Sequence, residues 1–238
     1  MDNINICYVL NNHIDYVNLT LKSISYVKKF FRSKEYQLKF FVVSEEPIDN
    51  LPDDVTNVIS PYKDIPLLWQ RMHIPELLDV DRVIFLDSDT ICLTCISKLW
   101  KIDLQDNIVG MCNHYCMNSI QAMLDYYSLS EYSIYNKHND LKQYYNCGVV
   151  LIDCVKWRDN GIVSKCEEAY NQIKYTPHYK NDEPTYNVIL ADDIYNIDPR
   201  WNYYPRGGYT RAHIIHYYGM YFDGKPIHNE FTIFADVS

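Results

Sequence analysis

The sequence contains no run approaching the ~20 apolar residues that a membrane-spanning helix requires, so no helical span is expected. Its opening, MDNINICYVL, lacks a basic n-region and a small-residue cleavage site. No signal peptide is therefore expected, and a cytoplasmic or otherwise soluble intracellular location follows. Basic residues are in deficit, with 22 Lys and Arg against 31 Asp and Glu and a formal net charge of −9. General nucleic-acid binding depends on neutralising phosphates with Lys and Arg, and this balance argues against it. An anionic small ligand would need positive charge brought to its site, from a metal or from a few placed basic groups. There is no internal repeat, no low-complexity linker and no composition break, so residues 1–238 are read as a single domain.

Eight cysteines are present, but the disulfide-framework context of a short secreted chain is not. Free buried thiols are the expectation. Cys92, Cys95, Cys112 and Cys116 offer an alternative as four zinc ligands, although their flanks lack the Gly-rich knuckle turns of such sites.

Hydrophobic content is 47% and charged content 22%, as in an ordinary soluble globular protein. Short apolar, β-branched runs read as buried strands at Ile4–Leu10, Leu38–Ser44, Val55–Ser60 and in RVIFLDSD from Arg82. Helical spacing covers Val17–Phe31 and Leu67–Leu78, the latter with Pro75 as a point of bending. In the second half, Gly148–Asp153 reads as a strand and Val163–Ile173 as a helix, with short strands in IYNID and HIIHYYG. The Tyr-rich region from His114 to Tyr145 is weakly periodic and reads as loops and short helices. Strands alternating with helices indicate an α/β fold with a mostly parallel sheet, and ligands bind outside the carboxyl ends of its strands.

Asp87 and Asp89 sit at such an end, in VIFLDSDTICL. Residues i and i+2 of a strand point the same way, so both carboxylates could reach one hard cation, Mg²⁺ or Mn²⁺, with positions left for substrate phosphates. A solvated turn is the plain alternative. Thr90 and Ile91 read as the chain continuing beyond the site. His216, ending a second apolar run, is either a packed core residue or a third ligand, and as a ligand it would favour Mn²⁺ over Mg²⁺. Asn146-Cys147-Gly148 places a polar side chain and a Gly at the start of a strand, and Asp182-Glu183-Pro184 reads as a helix start.

Taken in order, these features resemble a known family: the strand with Asp-x-Asp, Asn146-Cys147-Gly148 running on to Lys156-Trp157-Arg158, Asp182-Glu183 with Asn187, and His216-x-x-Gly219 followed by Lys225-Pro226. The sequence is similar to glycosyltransferase family 8, the group of glycogenin and the bacterial lipopolysaccharide galactosyltransferases, from about Ile4 to Pro226. The resemblance implies a GT-A fold with a mostly parallel, Rossmann-like sheet flanked by helices. It also implies a retaining, Mn²⁺-dependent hexosyltransferase that uses a UDP-sugar such as UDP-glucose or UDP-galactose, with a glycan, glycoprotein or lipid-linked acceptor.

By the same resemblance Asp87, Asp89 and His216 hold the metal, and Arg71 reaches the donor. Asn11, Asn12 and His13 meet uracil and ribose, with His13 or Tyr16 stacking on the base, and the Ser88 backbone meets the ribose. Asn146, Cys147 and Gly148 face the donor sugar, Asp182 and Glu183 lie beside the anomeric carbon, and Asn113 and His114 contact sugar or acceptor. Gly219 and Lys225 close the phosphate side. The sequence departs from the family in two places. Glu183 stands where the family commonly has Gln. The spacing from His216 to Lys225 is longer than usual, so MYFDG must loop out if Lys225 is to reach the phosphate, or else Arg206 or Arg211 takes its place.

Two other readings stay open on the residues alone. VIFLDSDT also matches the opening of haloacid-dehalogenase-like phosphatases, with Asp87 as nucleophile, Asp89 as general acid and Ala191–Asp193 as the later acidic motif. That motif, however, usually lies on the first strand. A protein that binds a UDP-sugar without turning it over is the third reading.

Overall fold

The computed structural model describes residues 1–135, 142–176, 181–205 and 211–217, with the backbone of 221–222 and 225–226. In chain order the first half contains β1 (Asp2–Val9), α1 (Ile14–Phe30), β2 (Tyr36–Ser44), β3 (Val55–Ile59), a 3-10 segment Leu67–His73, α2 (Ile74–Leu77), β4 (Arg82–Leu86), β5 (Thr90–Cys92) and α3 (Ser97–Trp100). There follow β6 (Val109–Asn113), α4 (Ile120–Tyr126), β7 (Tyr145–Asp153), α5 (Cys154–Asp159), α6 (Ile162–Ile173), α7 (Glu183–Ile189), β8 (Ile194–Asn196), a 3-10 turn Pro199–Asn202, β9 (Ile214–His216), β10 (Tyr221–Phe222) and β11 (Lys225–Pro226).

Among the described residues, seven strands form one sheet in the order β3-β2-β1-β4-β7-β6-β8. Only β7 runs against the rest, pairing antiparallel with β4 and β6 while β1–β2, β2–β3, β1–β4 and β6–β8 are parallel. Both faces are covered, which is why the strands read as near-continuous apolar runs. Val83 and Phe85 of β4 join one core with Phe41 and Val43 of β2. Ile84 and Leu86 join the opposite core with Phe40 and Val42. Buried side chains alternate between two layers because successive strand residues point to opposite faces. No helix among the described residues is long and apolar enough to cross a membrane.

Two sequence expectations change. Leu67–Leu78 is not one bent helix but a 3-10 segment followed by α2, and Pro75 sits in the first turn of α2. That position suits proline, whose missing N–H would be unpaired there in any case. The strand of RVIFLDSD ends at Leu86, so Asp87–Asp89 form a turn and the i, i+2 strand argument does not apply. The short helix α4 falls in the region from His114 to Tyr145, as expected, and an interior strand of the sheet, β6, lies just before it.

Candidate active site

The Asp-Ser-Asp turn is locked from behind. The Asp87 N–H donates to the Gly148 carbonyl at 2.8 Å, carrying the β4–β7 pairing one residue past the strand. Thr90 closes the turn, its N–H and hydroxyl donating to the Asp87 carbonyl at 3.2 and 2.8 Å. A chain of buried hydroxyls supports Thr90: Ser23 lies 3.1 Å from it and Tyr8 2.9 Å from Ser23. Thr20 of α1 donates to the Ser88 hydroxyl at 2.8 Å. Thr90 is thus a brace of the site, against the expectation that it merely continues the chain.

His216 arrives through a second, two-stranded sheet. β5 pairs antiparallel with β9, with Thr90 opposite His216, and the Tyr217 N–H donates to the Asp89 carbonyl at 3.0 Å. The imidazole Nε2 lies 3.2 Å from Asp89 Oδ1 and 3.5 Å from Asp87 Oδ2. One ligand atom from each residue falls within 4.8 Å of the others. Gly148 makes room for the ring: a Cβ there would lie 2.0 Å from His216 Cε1. Burial works against a charged imidazole, but Asp89 and Asp87 outweigh it and raise His216 to about 10. Burial likewise opposes ionisation of Asp87, yet His216 and Arg71 hold it below the ordinary carboxylate range. A cluster that holds a proton so tightly is a cluster that attracts cations. Two carboxylate oxygens and one imidazole nitrogen are a donor set that fits a divalent metal.

Among the described residues, no other group of His, Cys, Asp or Glu gathers in this way. The zinc reading of the cysteines therefore falls. All eight are free thiols, with Cys92 and Cys112 buried and Cys116 exposed.

Asp87 stands between two cavities. One, of about 360 Å³, is walled by Leu10, Asn11, Tyr16, Leu19, Ser88 and Asp89, among others. The second, of about 440 Å³, is lined by Arg71, His114, Tyr127, Tyr144, Asn146 and Glu183, with Leu68 and Asp87 shared between the two. Asn113 lines a small recess beside it with Asn202, Tyr204 and His216.

At the floor of the larger cavity, Arg71 donates to both oxygens of Asp182, with Nη2 2.6 Å from Oδ1. Its Nη1 donates to the Cys147 carbonyl at 3.2 Å and lies 3.7 Å from Asp87 Oδ1. The guanidinium sits over the rings of Phe85 and Tyr186. Burial opposes its charge, but Asp182 holds it charged. Asp182 is 1% exposed.

Glu183 faces the cavity instead. Its Oε1 accepts from the Tyr144 hydroxyl at 2.9 Å, and its Oε2 accepts from Asn146 Nδ2 and the Cys147 N–H, both at 3.0 Å. Burial pushes its carboxyl up to about 7 despite these donors. His114 Nδ1 accepts from the N–H groups of Cys116 and Met117 at 3.0 Å each, so its proton is on Nε2, which lies 3.7 Å from Glu183 Oε1. Burial, with the nearby His216, keeps this ring neutral, its pKa lowered to about 4.

Most of the sequence-derived site residues converge here, though several in altered roles. Gly148 cradles the His216 ring, and Cys147 takes part through its backbone. Asn12 and His13 are exposed and do not line the cavity beside Ser88. His13 caps α1 by accepting from the Asp15 N–H at 3.4 Å, and its own N–H donates to Asn11 Oδ1 at 3.0 Å. Gly219 and Arg206 lie outside the described residues, as does the side chain of Lys225. Its backbone pairs with Phe222, in the β10–β11 ladder. Tyr127, Tyr144, Asn181 and Asn202 were missed, because no local pattern distinguishes them in a chain with 23 tyrosines.

The pattern of glycosyl transferase family 8 matches residues 5–226. Among curated relatives, probable galacturonosyltransferase-like 3 of Arabidopsis thaliana is 31% identical over 152 residues, 61% of this chain and 43% of that protein. General stress protein A of Bacillus subtilis (strain 168) is 28% identical over 181 residues, 72% of this chain and 57% of that protein. The chain thus spans about half the length of the curated relatives it matches. Among solved structures, the galactosyltransferase LgtC in complex with donor and acceptor sugar analogues aligns with a TM-score of 0.70 at 19% identity, over 98% of this chain and 95% of that one. Mouse xyloside xylosyltransferase 1 aligns with a TM-score of 0.59 at 11% identity, over 91% of this chain and 97% of that one. At such identities the likeness speaks for the fold, which is of the GT-A type. With the family pattern taking in nearly the whole sequence, the chain belongs to glycosyl transferase family 8.

Proposed function

We propose that the chain is a Mn²⁺-dependent, retaining glycosyltransferase that moves a hexose such as glucose or galactose from a UDP-sugar to a glycan, glycoprotein or lipid-linked acceptor. The observation that carries this reading is the meeting of Asp87, Asp89 and His216 at the end of β4, between two cavities. A donor of two halves joined by a diphosphate suits that arrangement. The galactosyl- and galacturonosyltransferase names of the similar proteins support it.

Asp87, Asp89 and His216 would hold the cation, and the imidazole favours Mn²⁺ over Mg²⁺. When bound, the cation neutralises the diphosphate and acts as a Lewis acid on the leaving oxygen. The chain's own residues do the rest. Tyr16 offers a ring face in the cavity beside Ser88, where Asn11 supplies a polar edge, and this side receives the nucleoside. Arg71, fixed by Asp182, keeps Asp87 oriented. Asp182 therefore acts through Arg71 and not on the sugar. Glu183 presents a carboxylate to the larger cavity, aimed by Tyr144, Asn146 and Cys147. A preorganised negative group stabilises positive charge developing at an anomeric carbon.

The test is UDP release from UDP-glucose and UDP-galactose with and without Mn²⁺, since donor hydrolysis needs no acceptor. Cation-dependent release, lost in Asp87→Ala, is expected. Absence of both UDP binding and turnover with any UDP-sugar overturns the reading, and tight UDP binding without turnover reassigns the protein to sugar-nucleotide binding. The phosphatase reading lacks support: the Asp-x-Asp follows the fourth strand, not the first, and both Asp87 oxygens face cationic partners, Arg71 and His216.

A further inference from the structure

Two asparagines join the cation cluster to Glu183. Asn146 Oδ1 accepts from the Gly148 N–H at 3.0 Å. A backbone N–H can only donate, so this bond fixes the Asn146 amide with Nδ2 turned toward Glu183 Oε2, 3.0 Å away. Asn202 Nδ2 then donates to the same Asn146 Oδ1 at 2.7 Å. Its Oδ1 is thereby turned to His216 Nδ1, at 2.8 Å. An amide oxygen only accepts, so His216 carries a proton on Nδ1. That leaves Nε2, the nitrogen facing Asp87 and Asp89, to coordinate.

We propose that Asn202 is a positioning residue that fixes the coordinating tautomer of His216 and, through Asn146, couples the cation site to Glu183. Every donor in the chain points the same way, from His216 through Asn202 and Asn146 to Glu183. An ionised Glu183 at the far end polarises the chain and makes His216 a better ligand, as partners of metal-bound histidines do generally. Gly148 serves the device twice, once by its N–H and once by the absent Cβ that leaves room for the ring. The proposal rests on the reading of Asp87, Asp89 and His216 as the cation site.

The test is a Mn²⁺ titration of the full chain, with and without UDP, followed by the EPR signal of free Mn²⁺. Asn202→Leu removes both hydrogen bonds and is expected to weaken Mn²⁺ binding by roughly 10- to 100-fold. Asn202→Asp keeps an acceptor for Nδ1–H and is expected to bind within about threefold of wild type, or more tightly. Glu183→Gln is expected to weaken Mn²⁺ binding about two- to fivefold in the wild-type background and to have no effect in Asn202→Asp, where the relay is cut. Asn202→Leu within about twofold of wild type, Asn202→Asp as weak as Asn202→Leu, or additive effects of the Glu183 and Asn202 changes would each overturn the proposal. A readout that needs no variant is the ¹⁵N shift of His216 in the Mg²⁺-loaded protein. A protonated Nδ1 is expected there, and a proton on Nε2 overturns the proposal. If wild type and Asp87→Ala bind Mn²⁺ equally poorly, the cation site itself fails, and that result is distinct from every one above.

Discussion

Two cavities meet at Asp87, and their walls come from differently spaced parts of the chain. The one beside Ser88 draws on the end of β1, the first turns of α1, the start of the 3-10 segment and the acidic turn itself. Neighbours in sequence make most of it, and its walls are largely apolar. The larger cavity gathers side chains from the 3-10 segment, the strand end, the stretch after β6, the end of α4, the start of β7 and the start of α7. Its floor is an ion pair, and the Glu183 carboxylate is held by three donors from residues 144–147, some forty positions earlier in the chain. A cavity built locally can change one side chain without disturbing its supports. A cavity assembled from six places depends on each long-range bond that joins them.

Substitutions should expose this difference. The largest effect on stability is expected at the floor of the assembled cavity. Asp182→Ala leaves Arg71 charged and buried, and should destabilise the fold by about 3–5 kcal/mol in urea unfolding; a loss below about 1 kcal/mol would mean that water reaches the guanidinium. Next comes Gly148→Ala, whose Cβ would strike the His216 ring. It should cost about 1–3 kcal/mol and abolish measurable Mn²⁺ uptake, because the ring must leave its place. In the locally built cavity, Tyr16→Ala should leave the unfolding midpoint within error and weaken UDP binding about tenfold, the scale of one lost base–aromatic stack. Were it to lower stability as much as Gly148→Ala, the contrast between the two cavities would collapse.

The smallest expected effect is one of pH. Burial raises Glu183 from 4.5 to about 7, so the folded state favours its protonated form. Its contribution to stability is present below about 4.5 and is lost as pH rises toward 7. Glu183→Gln should therefore gain stability relative to wild type across that window, as urea unfolding at pH 4, 6 and 8 would measure. A limb near pH 7 in the wild-type kcat/KM profile should disappear in the variant. A wild-type limb that persists in Glu183→Gln would assign it to another group.

The two cavities were also unequally legible. Val9 and Leu10 end a recognisable strand, and Asn11 and Tyr16, assigned by family resemblance, come soon after it, so their place near its carboxyl end agrees with the local pattern. His13 caps α1, and a helix cap and a ligand-binding side chain look alike in sequence. Family resemblance alone points to Arg71, and Asp182, expected beside the anomeric carbon, pairs with it. Their hydrogen bonds span more than a hundred residues, and no periodicity records such a contact. Asn202 left no signal at all, since its role exists only after β9 has brought His216 to the turn.

By itself the sequence determined the layered α/β architecture, because two-sided burial of the sheet leaves continuous apolar runs, and it set two carboxylates at the end of β4. Only the tertiary structure decided what those carboxylates meet. Three residue pairs between β5 and β9 bring His216 to them, Gly148 leaves room for the ring, and Arg71 turns to Asp182. The physical reason is that pattern reports which face of an element is buried, whereas ligation and ion pairing depend on which distant segment closes against it.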